Sequence, residues 1–277
     1  MINFWYKLNK VRKATLIAGL SFLIILLISF LLSWVEDSKE IQNSLLKQPE
    51  NNNLTELLND HLLFNVKAKL WHRSWTFTYL SNFTVGIALV LFACFYETKW
   101  INRLVTWSSI YISVTFLIFW SLIFPGLFLA GQYNTGRVIA SVNTHFINPV
   151  IALVMVFFNR QKLEYTKRWI LLSIIPMFMY YFFAMTIFFI GNPAVKELRK
   201  LTPSIPLWKL QDEAGLTIYP FLNFEFPLFY HGDKIALKVV FNLLIVLVGV
   251  VLPIGIGFLL KLICKTKRKV YEKQTKN

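Results

Sequence analysis

Six stretches of this chain are each apolar for roughly 20 residues, the length a helix needs to cross the hydrocarbon core of a bilayer. They run over about 14–34, 76–97, 104–131, 138–158, 169–191 and 237–262, and take up most of the 277 residues. Composition agrees: 56% of residues are hydrophobic, 17% aromatic and only 16% charged, less charge than a soluble domain carries. The expectation is an all-α polytopic membrane protein, a single domain of six transmembrane helices over residues 1–277. No room remains for a large soluble domain. The first run follows "KLNKVRK" and is longer than the apolar region of a signal peptide. No small-x-small cleavage pattern follows "LLSWVEDSKE", so it is read as a retained helix.

The net charge of +15 would suit a nucleic-acid binder, but its placement points elsewhere. Lys and Arg cluster in short segments beside the apolar runs, where they set orientation and meet anionic headgroups. No basic folded module is left to hold nucleic acid. Residues 1–13, 98–103, 159–168 and 261–277 hold 17 Lys and Arg among 46 residues. The opposite side (35–75, 132–137 and 192–238) holds 12 among 94. The positive-inside rule then puts both termini in the cytoplasm of a multi-pass cell-membrane protein, with 263–277 as a basic cytoplasmic tail. Cys94 and Cys264 show neither a disulfide framework nor metal-ligand spacing.

Two longer segments fall on the outer side. Residues 35–75 begin acidic and pass through "NNNLTELLND". They end in "HLLFNVKAKLWHRSW", an amphipathic piece expected along the interface with Trp71 and Trp75 at headgroup depth. Residues 192–236 hold five prolines and are expected to be extended loop rather than helix. Their "GLTIYPFLNFEFPLFYHG" is too apolar for a solvated loop and is expected to fold back onto the helix ends.

The fourth span opens with "VIASVNTHFINP", a set of polar groups placed where lipid penalises unpaired ones. Ser141, His145 and Asn148 fall at i, i+4 and i+7, one face of a helix. In the second span Thr78, Ser81 and Asn82 do the same. Both stripes enter from the outer side, and His145 lies about 10 Å along its helix, so the two are at matching depth. A neutral imidazole beside a hydroxyl can serve as general base and turn an alcohol into a nucleophile. Asn82 or Asn148 would orient the ring or donate to a developing oxyanion. Pro149 removes a helical hydrogen bond and frees carbonyls one turn earlier, near His145. The plainer reading is that Ser, Thr, Asn and His here glue helices together. No HExxH, GxSxG, phosphate-loop or dinucleotide fingerprint is present, so neither a metal nor a cofactor is expected.

Three pieces together, "FTYLSN", "NTHFINP" and "YPFLN", resemble in order and spacing the androgen-induced-gene (FAR-17a-like) family and its small bacterial six-helix relatives. The resemblance covers spans two to six. Characterised animal members are intramembrane hydrolases of fatty-acid esters of hydroxy fatty acids, using a threonine at the start of the second helix and a histidine in the fourth. Carried over by motif, these fall on Thr78 and His145. A slip of one residue would put Tyr79 at the first place and leave Thr78 or Ser81 to act. The acidic residue that often follows these motifs is replaced here by Asn82 and Asn223.

The resemblance implies a lipid-ester hydrolase or acyl transferase acting on membrane lipids or fatty-acid esters. Its site would comprise Thr78, Ser81, Asn82, Ser141, His145 and Asn148, lidded by Tyr219, Pro220, Phe221 and Leu222. The competing expectation is a non-catalytic lipid- or small-molecule-binding membrane protein. A transporter fits less well, because apart from Glu97 at the very end of the second span the spans contain no acidic residue for a proton relay.

Overall fold

A computed structural model describes residues 2–46, 71–95, 98–125 and 135–264; across them the chain is helical, with no strand. Six helices are long and apolar enough to cross a membrane. They are α1 (Lys10–Leu46), α2 (Phe77–Phe95), α3 (Lys99–Ile123), α4 (Thr135–Phe158), α5 (Lys167–Leu201) and α6 (Ile235–Cys264). The protein is an all-α integral membrane protein. The expected interfacial stretch 61–70 with His61, the end of the third span beyond residue 125, and the basic tail from 265 lie outside the described residues.

Two helices overrun their expected ends. At 1.5 Å per residue, the 37 residues of α1 and 35 of α5 reach about 55 and 52 Å, well beyond the roughly 30 Å apolar core of a bilayer. Their extra turns stand on the face where α2, α4 and α6 begin. α5 continues through Pro193, where the sequence suggested loop. One proline removes a single helical donor. The turns after it are held by packing of Phe188 and Val195 against Leu210 and Leu216.

α1 and α2 pack along each other at backbone distance. A Cβ on Gly86 would lie 2.6 Å from Leu23 Cδ2, and one on Gly19 2.9 Å from Val90 Cγ2. Small residues let helices meet this closely where lipid supplies no hydrophobic drive. Beside this seam Phe22, Val85, Leu89, Ile112 and Ala152 form a buried cluster that draws in α3 and α4. At its far end Arg12 donates from Nε to Ala93 O (2.8 Å) and from Nη2 to Cys94 O (2.9 Å). A guanidinium thereby takes carbonyls that the end of α2 leaves unpaired. Asn159 ties α4 to α1 by donating to Thr15 Oγ1 at 2.8 Å.

On the same side α3 and α5 are laced by polar groups. The Tyr111 hydroxyl donates to Ser173 O (2.9 Å) and the Trp107 indole to Trp169 O (2.7 Å), while Ser109 shares a 2.8 Å bond with Tyr165, just ahead of α5.

A cap built from residues 202–234 covers the opposite end. Its short helix, Leu207–Glu213, ends at Gly215, whose φ of +70° is the left-handed conformation glycine adopts freely. Gly215 N–H reaches Asp212 O and Leu216 N–H reaches Gln211 O, each at 2.9 Å, the paired bonds of a Schellman stop. The chain then folds back, seating Ile218 and Leu222 against Ala184 of α5. Buried Gln211 locks the cap: its amide donates to Asn192 Oδ1 (2.9 Å) and Glu225 Oε2 (2.7 Å), and its carbonyl accepts from Asn223 Nδ2 (2.7 Å). Asn223 Oδ1 in turn accepts from the N–H groups of Glu225 and Phe226.

Candidate functional site

Beneath the cap lies an apolar cavity of about 350 Å³, bounded by α2, α3, α4, α5, α6 and the cap. This falls in the range of roughly 300–1,000 Å³ where small-molecule sites occur. Thr78, His145, Tyr219, Phe221 and Leu222 all line it. Ser81, Asn82, Ser141, Asn148 and Pro220 do not.

Thr78 sits in the first turn of α2, whose N–H groups have no partner within the helix. The Tyr219 hydroxyl fills that need from the cap, accepting from Thr78 N–H at 3.1 Å and lying 3.1 Å from Thr78 Oγ1. Burial raises the Tyr219 hydroxyl above its ordinary pKa, with the bonds to Thr78 working the other way, so it stays neutral. The phenol is thus both a lid residue and the hydrogen-bond partner of the candidate nucleophile. Sequence reading assigned it only the first role.

His145 lies in a π turn, Asn143–Ile147, in which the Asn148 N–H reaches back five residues to Asn143 O. A second π turn, Phe119–Ile123, stands opposite it in α3. The Phe119 ring stacks on the imidazole, with centroids 3.7 Å apart and planes 8° from parallel. The carbonyl of His145, one turn before Pro149, accepts from Trp120 Nε1 at 3.1 Å. Its Nδ1 is buried with no hydrogen-bond partner among the described residues. No hydrogen bond joins His145 to Thr78 among the described residues; the cavity lies between them. Single turns of this kind are frequent at functional sites, and nothing in "NTHFINP" except the proline announces one.

The π turn also breaks up the expected polar stripe. Asn148, three residues past His145, is directed to α2, where its Nδ2 donates to Asn82 Oδ1 at 2.9 Å. Ser141 precedes the turn and its hydroxyl has no bond among the described residues; only its carbonyl serves, accepting from Thr144 Oγ1.

Asn82 is fully buried and spends both amide hydrogens, one on Thr78 O of its own helix (2.8 Å) and one on Thr144 O of α4 (3.1 Å). A side-chain amide has two donors, so none is left for an oxyanion. Ser81 is occupied likewise: its hydroxyl lies 3.0 Å from Thr78 O and 2.7 Å from Thr115 Oγ1. Thr115, which does line the cavity, was not singled out in the sequence. Neither was α6, which supplies much of the wall, including Leu244, Gly249 and Pro253. The stretch of α6 that supplies this wall, residues 244–253, carries no polar side chain and so gives no signal of facing a site.

Elsewhere, Trp71 and Trp75 keep exposed rings near the cap, Trp71 against Trp34 and Trp75 against Phe183. Both cysteines are free thiols. Among the described residues no three His, Cys, Asp or Glu side chains gather as a metal would require.

Comparison with protein-family models, with curated proteins and with solved structures finds no match to this chain.

Proposed function

We propose that the protein is an intramembrane lipid-ester hydrolase or acyl transferase of the androgen-induced-gene type, with Thr78 as nucleophile and His145 as general base. One observation carries the reading: a hydroxyl and an imidazole from different helices line a single apolar cavity, closed on one side by a cap. In this scheme the imidazole takes the Thr78 proton as Oγ1 attacks an ester carbonyl. It returns that proton to the departing alcohol, and water or a second alcohol then releases the acyl group. Thr78 must first exchange its Tyr219 contact for the approach of substrate and base. The basic clusters support termini in the cytoplasm of the cell membrane and a cap on the outer face.

The test is labelling of the purified protein with a serine/threonine-reactive fluorophosphonate, with the adduct mapped by mass spectrometry. An adduct on Thr78 that is lost in His145→Ala is the expected result. Turnover of a fatty ester that survives either Thr78→Ala or His145→Ala would sink the proposal.

A second reading, a binding protein without chemistry, draws on a specific feature: Thr78 Oγ1 is engaged by Tyr219 rather than by His145. Equal lipid retention by wild type and Thr78→Ala, with no product from either, would favour it.

A further inference from the structure

The proposed reaction lacks one part that acyl transfer draws on, a donor for the oxygen where charge gathers. As Thr78 Oγ1 bonds the ester carbon, its proton passes to His145 and the C=O π pair moves onto the carbonyl oxygen. That pair returns when the bond to the alcohol breaks, and the alcohol departs with the proton from His145. In between, the oxygen is an anion in an apolar cavity, where a preorganised donor has its largest effect. The amides that the sequence offered for this task are committed elsewhere. Asn82 gives both hydrogens to carbonyls, and Asn148, which does not line the cavity, turns its Nδ2 to Asn82.

One hydroxyl stands where the donor belongs. The Tyr219 phenol lines the cavity and lies 3.1 Å from Thr78 Oγ1. The oxyanion forms on the carbon that Oγ1 attacks, so it is two bonds from Oγ1. A donor already this close needs only a small shift to reach the roughly 2.7–3.1 Å at which such donors act. Two other hydroxyls of the cavity wall have partners away from Thr78. Thr115 is paired with Ser81 at 2.7 Å, and Ser121 donates to Leu117 O of its own helix at 2.6 Å.

The phenol is also held for the task. Thr78 N–H donates to its oxygen at 3.1 Å, which fixes the oxygen while the single O–H stays free to turn. The ring stacks on Phe221, with centroids 5.2 Å apart and planes 20° from parallel, and packs beside Ala184, Ile218 and Leu222. The Tyr219 carbonyl accepts from Leu222 N–H at 2.8 Å, closing the short turn that carries the residue. Burial keeps the phenol protonated, as a donor must be.

We infer that Tyr219 is the oxyanion donor of this site, its O–H turning from Thr78 Oγ1 to the ester carbonyl oxygen as charge gathers there. The inference rests on the proposed function, since it takes Thr78 as nucleophile. It makes the cap a catalytic element as well as a lid, because a residue 141 positions from Thr78 completes the site.

The experiment uses the full-length protein in nanodiscs with a matched pair of long-chain ketones, one bearing a trifluoromethyl group and one a methyl group. The first takes up a nucleophilic hydroxyl to form a tetrahedral hemiketal that carries the oxyanion; the second stays a ground-state ketone. Fluorine NMR reports the hemiketal, and calorimetry gives both affinities. The hemiketal should form in wild type and be absent in Thr78→Ala. Tyr219→Phe should weaken the trifluoromethyl ketone about 100-fold, the effect of removing one such donor, and the methyl ketone by less than about threefold. Tyr219→3-fluorotyrosine keeps the ring and strengthens the donor. At about pH 6.5, where the phenol stays protonated, it should tighten the trifluoromethyl ketone alone. Equal weakening of both ketones by Tyr219→Phe, or no change in either, overturns the inference. So does a 3-fluorotyrosine variant that binds the pair as wild type does. No hemiketal in wild type, or one that survives Thr78→Ala, instead defeats the proposed function, and the inference with it.

Discussion

Gly86 and Gly249 show what separates the two halves of this bundle. At Gly86, between α1 and α2, a single added carbon would lie 2.6 Å from a leucine side chain; at Gly249, on α6, it would touch nothing. Around Gly86 the side chains interlock and buried amides link helix to helix. Gly249 instead lines the apolar cavity, whose polar groups among the described residues are few. The same residue serves close approach in one place and open space in the other, so a glycine in a membrane span says nothing until its neighbours are known. The seam holds the helices that carry Thr78 and His145, and the gap leaves something for those residues to face. α2 and α3 are more than half buried, while α5 and α6, which wall much of the cavity, are mostly exposed.

The sharpest way to break that contrast is to place the same side chain at both glycines. Gly86→Leu should destabilise by about 3 kcal/mol or more, the upper part of the range for overpacking. Gly249→Leu should change stability by less than about 0.5 kcal/mol. Thermal unfolding in one detergent compares them directly. Equal losses would mean that the gap is as tightly packed as the seam.

A smaller effect is expected at Asn82, the joint between α2 and α4. Asn82→Leu leaves Thr144 O and Asn148 Nδ2 without this partner, while Thr78 O keeps the Ser81 hydroxyl. Interhelical bonds in lipid are worth about 0.6–1.7 kcal/mol, so a loss of about 1–2 kcal/mol is expected. Combined with Asn148→Leu the cost should be clearly less than additive, since the two residues share one bond. Additive losses would mean that the pair does not act as a unit.

The cap offers a pH-dependent version of the same test. Burial pushes the Glu225 carboxyl up, but hydrogen bonds from Lys196, Gln211 and Asn192 outweigh it, and its pKa ends below the ordinary value. A depressed folded-state pKa means the unfolded chain binds the proton more readily. Stability from this group is therefore fully present above the unfolded value of about 4.3. It is lost as pH falls through the folded value. The melting-temperature gap between wild type and Glu225→Gln should be constant near neutrality and close below about pH 4. A gap that persists in acid would point to lost packing rather than lost charge.

The six spans were legible because apolar length is a direct physical requirement of lipid, and no tertiary contact can revise it. Thr78 and His145 were legible as polar residues inside apolar runs, and the fold brings both to one cavity. Their supporting cast was not. Helical spacing assumes an unbroken α-helix, and the π turn at Asn143–Ile147 changes which residues share a face, a shift that spacing alone cannot reveal. The continuation of α5 through Pro193 was hidden for a related reason: local chemistry favours a stop, and the packing of Val195 against the cap overrides it. The role of Tyr219 was out of reach because its partner lies 141 residues away in sequence.

That phase change supplies the smallest expected effect and the most pointed comparison. Ser141 and His145 sit four residues apart, and an unbroken helix would aim them the same way. In the fold His145 lines the cavity, while Ser141 does not, and its hydroxyl is unbonded among the described residues. Ser141→Ala should therefore leave both stability and ester turnover unchanged, within about 0.5 kcal/mol for the former, while His145→Ala removes turnover. If Ser141→Ala instead lost turnover to the same extent at unchanged stability, the two residues would share a face. The helix would then be regular through His145, and the widened turn would be wrong. A hydroxyl-to-methyl change in a single serine thus reports on the backbone geometry that sets the site.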